Sequence, residues 1–161
     1  MVAFQRATLT NCSLLLEWAN DPDVRRGAFH SAPIEWNEHV QWLTAQLSSA
    51  ASAIWLVIGD DGAPVGHVRL WADGQGGAMV SISIRHDMRR RGFGLQALSL
   101  LPEYAHEFLA FMGIRYLYAF IRPDNVASLA VFRRAGYTSP RPVIYEDQPA
   151  MYVEWAGMRQ V

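Results

Sequence analysis

Between Ala78 and Arg85 the chain alternates strictly, with Val80, Ile82 and Ile84 on one side and Met79, Ser81 and Ser83 on the other. A period of two is that of a β-strand. Val2 to Thr8, Ala53 to Ile58, Pro64 to Trp71 and Arg115 to Ile121 also read as strands, and segments around Val143 and Tyr152 to Trp155 close the chain as strands. Other stretches follow the helical period. Leu14, Leu15, Leu16 and Trp18 form the first, capped by Thr10 or Asn11. Asp21-Pro22 puts a capping side chain ahead of a helix-compatible proline and starts a short second helix. After Pro33, Glu35 to Leu47 gathers Val40, Leu43 and Leu47 on one face. Leu95, Leu98, Leu101, Ala105, Phe108, Leu109 and Met112 outline a longer helix ended by Gly113, and Pro102 inside it should kink it or mark an irregular turn. Asn125 to Ala135, ended by Gly136, is the last helix.

The resulting order is β-α-α-α-β-β-β-α-β-α-β-β. Turns at Gly59 to Gly62 and Asp73 to Gly77 make three neighbouring strands antiparallel. The strand–helix–strand unit over 78–121 should place its strands parallel. The fold class is therefore α/β (α+β), with a mixed central sheet and helices on both faces. At 161 residues the chain has the size of one domain, taken as 1–161, and it shows no repeat or linker.

Composition narrows the function. A formal net charge of −1 speaks against nucleic-acid and membrane partners. The single cysteine, Cys12, excludes an internal disulfide and a cysteine metal cluster, and no metal site is expected. No stretch approaches the roughly 18 apolar residues of a membrane helix, and the N-terminus lacks a signal pattern. The expected location is the cytoplasm. All fourteen basic residues are arginine, so no lysine Schiff base or Walker-type lysine can take part.

Candidate chemistry centres on Arg89-Arg90-Arg91-Gly92-Phe93-Gly94, between a strand and a helix. The first amides of a helix lack internal partners, its dipole makes that end electropositive, and glycines admit a ligand close to the backbone. Such a turn suits phosphate. A plain turn with a solvated basic run produces the same local sequence. Gly92 to Ala97 also fits the dinucleotide pattern G-x-G-x-x-A, but that motif belongs after a first strand with an acid about 20 residues on. Here it lies past the middle, and Met112 to Tyr116 holds no acid.

The loop resembles the Q/R-x-x-G-x-G/A pattern of the GNAT N-acetyltransferases, with Arg89, Gly92 and Gly94 in the matching places. Asn125 to Tyr137 resembles the family's second motif, N-x-x-S-x-x-x-Y/F-x-K/R-x-G-F/Y. The resemblance implies acetyl-CoA as donor, with CoA as product. It implies that amides from Arg90 to Leu95, including Arg91 and Phe93, cradle the pyrophosphate, with Arg89 at the motif's first position. The strand at Ile82, Ser83 and Ile84 would pair with the pantetheine arm. Asn125 and Ser128 would reach that arm, and Phe132 would lie beside the thioester.

Transfer requires a neutral amine, a proton acceptor and an oxyanion donor. The family's usual glutamate would fall near Met79, with Ser81 and Ser83 on the same face, and its usual tyrosine is Phe132 here. Both usual catalytic side chains are missing. His67, on the neighbouring strand, is the candidate base, because an imidazole titrates near neutrality. His30, Glu103, Tyr104, Glu107, Tyr118, Tyr145 and Tyr152 remain as other titratable groups, a water-relayed proton is a further route, and a backbone amide near Ser83 could hold the oxyanion.

Trp18 to Arg25, followed by Ile34 and His39 to Trp42, resembles GNAT subsets that acetylate amino-sugar nucleotides or ribosomal-protein N-termini. Asn20, Arg25 and His30 are the candidate acceptor contacts. Three functions stay open: an acetyltransferase acting on a small-molecule or sugar amine, one acting on protein N-termini or lysines through an open groove, and a degenerate CoA-binding module. A homodimer is left open.

Overall fold

Tight turns decide the topology of the N-terminal half. The computed structural model describes residues 1–157. Strands β1 (Ala3–Arg6), β2 (Ser52–Ile58), β3 (Pro64–Ala72) and β4 (Gly77–Ile84) pair in that order, all antiparallel. Gly62 sits at φ 79° in the β2–β3 turn, a left-handed conformation that glycine adopts without a Cβ clash. Gly66 on β3 is obligatory for another reason: a Cβ there would meet the Ser83 carbonyl oxygen at 2.3 Å.

The sheet continues through β5 (Tyr116–Ile121), β7 (Gln148–Trp155) and β6 (Arg141–Tyr145), giving seven strands in the order β1-β2-β3-β4-β5-β7-β6. The β4–β5 pair is parallel, as the crossover predicted, and the other pairs are antiparallel. Helices α1 (Cys12–Ala19), α2 (Pro22–Gly27) and α3 (Trp36–Ser48) precede β2; α4 (Phe93–Tyr104) and α5 (His106–Phe111) join β4 to β5; α6 (Val126–Arg134) follows β5. The Asp21 carboxylate accepts from the Asp23 and Val24 amides and starts α2. The helix read as one from Leu95 to Met112 is two. Pro102 has no amide to give the Leu98 carbonyl, and the chain breaks at Ala105 (φ −90°, ψ 4°) before α5 resumes.

Two apolar layers sandwich the sheet. Val68 and Leu70 of β3 and Leu117 and Ala119 of β5 meet Leu98, Leu101 and Leu109 of α4–α5 and Phe132 of α6. Ile54 and Leu56 of β2 meet Leu15 and Trp18 of α1 and Leu43 of α3 on the opposite side. Strand β2 is buried on both faces, which explains its unbroken apolar run. No helix among the described residues is long and apolar enough to cross a membrane.

Candidate active site

Strands β4 and β5 pair only over Gly77–Met79 against Tyr116–Tyr118. Beyond that the two part. From Val80 to Ile84, β4 keeps its ladder to β3 but has no β5 partner, so one edge of the strand faces a cleft. Helix α6 lines this cleft with Ala127, Ser128, Ala130 and Val131. These are small side chains on the face opposite Leu129 and Phe132, and they leave room where a bulkier set would close it.

One cavity of about 920 Å³ occupies the cleft and extends to both ends. At one end lie Ile82, Ser83, Ile84, the loop residues Arg89, Arg90 and Gly92, and the first residues of α4, Phe93, Gly94 and Leu95. The first α4 hydrogen bond runs from the Gln96 amide to the Gly92 carbonyl at 3.0 Å, so the helix does not use the amides ahead of it. Gly92 (φ 83°) and Arg90 (φ 63°) are both left-handed, which turns successive amides toward one side. A Cβ on Gly92 would meet nothing nearer than 3.8 Å, so the space above the loop is open. Arg90 and Arg134 add charge at the mouth and form no ion pair among the described residues.

Other candidates have different places. Arg89 donates to the Ile84 carbonyl at 2.9 Å and contacts Asp23 at 3.0 Å, Asp21 at 3.4 Å and His86 at 3.3 Å. It anchors the loop to α2 and supplies the cation of the cluster formed by Asp21, Asp23 and His86. Arg91 is exposed and outside the cavity wall. Asn125 caps α6, its side-chain Oδ1 accepting from the Ser128 amide at 3.2 Å, and both residues line the cavity. Phe132 is the clearest departure. It is 3 % exposed, packs edge-on to Tyr137 in the core and does not reach the cavity, because the helical period turns it to the face shared with Leu129.

The other end of the cavity is walled by α1, α3 and β3. His67 lies opposite Ser83 and Leu56, and Arg69 opposite Ser81 and Ile54. All six share one sheet face, since directly paired residues point the same way. The His67 ring stacks on Trp18 at 6.0 Å and interplanar 4°. Burial foremost, then the charges of Arg69 and His39, push its pKa down to about 4. It is therefore a neutral imidazole at pH 7. His67 Nδ1, His39 Nε2 and Trp18 Nε1 are all buried with no hydrogen-bond partner among the described residues.

Asn20, Arg25 and His30 build a strap. Asn20 makes a two-way bond with the Ile34 backbone, at 2.9 and 2.8 Å. Arg25 donates to the carbonyls of Ala19 and His30, at 2.6 and 2.9 Å. His30 meets Glu146 at 2.7 Å, Gln148 donates to the Phe29 carbonyl at 2.9 Å, and Phe29 packs edge-on to Tyr145 at 5.0 Å. Residues 28–34 are thereby tied from α2 across to the β6–β7 hairpin. Arg25 also touches the cavity, whereas Asn20 and His30 do not. Asn20 and His30 make their polar contacts within the strap and to Glu146.

Sequence reasoning passed over Arg69 and Glu38, which line the cavity, and treated His39 and Trp42 only as part of a resemblance. A signal for Arg69 existed: polar His67 and Arg69 alternate with Val68 and Leu70 on a central strand, where both faces are expected to be apolar.

The family model described as "Acetyltransferase (GNAT) domain" matches residues 3–138. No curated protein matches the chain significantly. Among solved structures, an aminoglycoside acetyltransferase in complex with coenzyme A superposes with a TM-score of 0.81 at 16% identity, covering 98% of this chain and 95% of that one. The spermidine N-acetyltransferase of Vibrio cholerae, in complex with CoA and spermine, gives 0.81 at 13% identity, covering 96% and 94%. A putative acetyltransferase from Salmonella typhimurium with acetyl-CoA gives 0.75 at 14% identity, covering 100% and 96%. At these identities the likeness is one of fold.

Proposed function

The chain belongs to the GNAT acetyltransferase family, and from that premise we propose that it transfers the acetyl group of acetyl-CoA to the primary amine of a small molecule. The observation that carries this reading is the single cavity running from the open amides before α4, through the cleft between β4 and β5, to the strapped end beside His67 and Arg69. A pyrophosphate suits the amides of Arg90 to Leu95 and the helix dipole behind them. The unpaired edge of β4 at Ile82 to Ile84 suits an amide-bearing arm lying along it as an added strand. Three solved structures of this fold were determined with CoA or acetyl-CoA, which agrees with that assignment.

The tied strap favours a small acceptor over a protein one. A peptide needs an open groove, and residues 28–34 span the place where one would run.

The chemistry balances without a strong base. The amine nitrogen bonds to the thioester carbon, the carbon–sulfur bond breaks, and the proton lost from nitrogen ends on the CoA thiol. His67, with its pKa near 4, is too weak to deprotonate a free ammonium. It suits accepting a proton from the nitrogen once acylation has made that N–H acidic, directly or through water. The acceptor must then arrive neutral, so kcat/KM should climb with pH up to the acceptor's own pKa.

The test is free-CoA release against amino-sugar nucleotides, polyamines, aminoglycosides, amino acids and peptides. Turnover of small amines and not peptides is the expected result. Acetyl-CoA binding without release from any amine would make the chain a binding module instead.

A further inference from the structure

Four exposed or half-buried arginines pair with a nearby acid: Arg26 with Asp23, Arg85 with Asp87, Arg122 with Asp124, and Arg89 with Asp21 and Asp23. Arg69 lies deeper and has no such partner. Its guanidinium forms no hydrogen bond and no ion pair among the described residues. It lies over the ring of Trp42, whose centroid is 5.3 Å away. Burial pushes its pKa down, and the Tyr145 phenol is near enough to interact with it electrostatically. Arg69 is half-buried, and a charge partly removed from water is stabilised by a counter-charge. Here the charge is kept, on a strand face that lines the cavity.

The acids in the cavity wall do not offset it. Asp23 is held by Arg26 and Arg89, and Glu38, exposed on α3, forms no ion pair with Arg69. His39 and His67, the other titratable groups at this end, have lowered pKa values and contribute no negative charge. Arg69 is therefore a cation in the cavity wall that an anionic group entering the cavity can meet.

We propose that the acceptor is an amine that also carries a carboxylate, and that Arg69, laid against Trp42, receives that carboxylate. The proposal rests on the acetyltransferase reading above and narrows its substrate class. A guanidinium presents two parallel N–H groups that match a carboxylate. One cation matches one negative charge, which favours a monocarboxylate over a sugar-nucleotide diphosphate. It also separates this cavity from one suited to polycationic acceptors such as spermine, which Arg69 would repel.

The experiment compares amino acids (leucine, phenylalanine, glutamate) with their amides, and β-alanine with O-phosphoethanolamine, on the full chain saturated with acetyl-CoA. The carboxylate member of each amino acid–amide pair should have about 10- to 100-fold higher kcat/KM, the range of one charge-assisted bond. Arg69→Gln should abolish that preference through the acceptor KM, leave the acetyl-CoA KM unchanged, and not lower Tm, because it removes a half-buried charge that forms no ion pair. Arg69→Lys should restore part of the preference. A purely structural Arg69 would instead lower Tm and weaken all acceptors equally, which would overturn the proposal. So would equal use of amides, or preference for the phosphate. Binding is measured in parallel by quenching of tryptophan fluorescence as N-acetyl amino acids and their amides are titrated onto the CoA-bound chain. Selective carboxylate binding without any turnover would uphold the proposal and sink the enzyme reading; turnover without carboxylate selectivity would do the reverse.

Discussion

The two ends of the cavity are built from different materials. The donor end is made mostly of backbone: amides before α4, a strand edge freed where β4 leaves β5, and glycines that keep side chains out. The acceptor end is made of side chains from α1, α3 and β3 under a strap tied to β6 and β7. A backbone site must be spelled by residues with special conformational freedom at fixed spacing, so it leaves a motif. A side-chain site needs only that remote positions converge, and it leaves none. The first end can therefore be common to a family while the second sets the individual substrate.

The sharpest way to break this comparison is to place a side chain in the backbone end. A Cβ on Gly94 would make only ordinary contacts, 3.6 Å to Ile84 and to Val131. Gly94→Asp should therefore fold, helped by a carboxylate in the first turn of α4, yet weaken acetyl-CoA binding on the order of 100-fold by facing its phosphates with a like charge. Calorimetric titration and thermal unfolding measure both. Unimpaired binding would move the donor site elsewhere. The Arg69 substitutions described above, with their 10- to 100-fold effect on the acceptor alone, are the mirror experiment at the other end.

His67 gives a smaller effect with a defined pH window. Its folded pKa, about 4, lies below the ordinary 6.5. Between those values the unfolded chain takes up a proton that the folded chain refuses, so stability is full above pH 6.5 and is lost as pH falls toward 4. The loss is on the order of 2–3 kcal/mol. His67→Gln should flatten the denaturant midpoint between pH 7.5 and 4.5. In catalysis, an acid limb of kcat near pH 6.5 that vanishes in His67→Gln would contradict its burial and the role given to it here.

The smallest effect tests the strap. Asn20→Ala removes two hydrogen bonds to Ile34 and should cost about 1–3 kcal/mol. The acceptor KM should rise several-fold and the acetyl-CoA KM should not change. A fall in kcat/KM with unaltered Tm would instead put Asn20 in contact with the acceptor.

Much of the fold was legible. Strict alternation placed β4, the Gly59–Gly62 turn placed the β2–β3 hairpin, and Asp21-Pro22 placed the start of α2. Pro102 marked the irregularity now seen as the break at Ala105. Phe132 misled because its motif position suggested a ligand contact, while the turn of α6 that presents Ser128 to the cavity sends Phe132 to the core. Asn20 and His30 lie outside the cavity and hold the strap; polar residues near a site look alike in sequence whether they bind a ligand or hold a loop.

By itself, the sequence determined the elements, their order and the glycine turn before α4, because periodicity, prolines and glycines act within a few residues of themselves. Only the tertiary structure decided where β4 and β5 separate and that Arg69 lies half-buried beside the cavity without an acid paired to it. Those facts depend on Ser81, Arg69, Trp42 and Tyr145, which lie on four elements and come together only when the sheet twists and the helices pack. Local sequence carries no record of that distance.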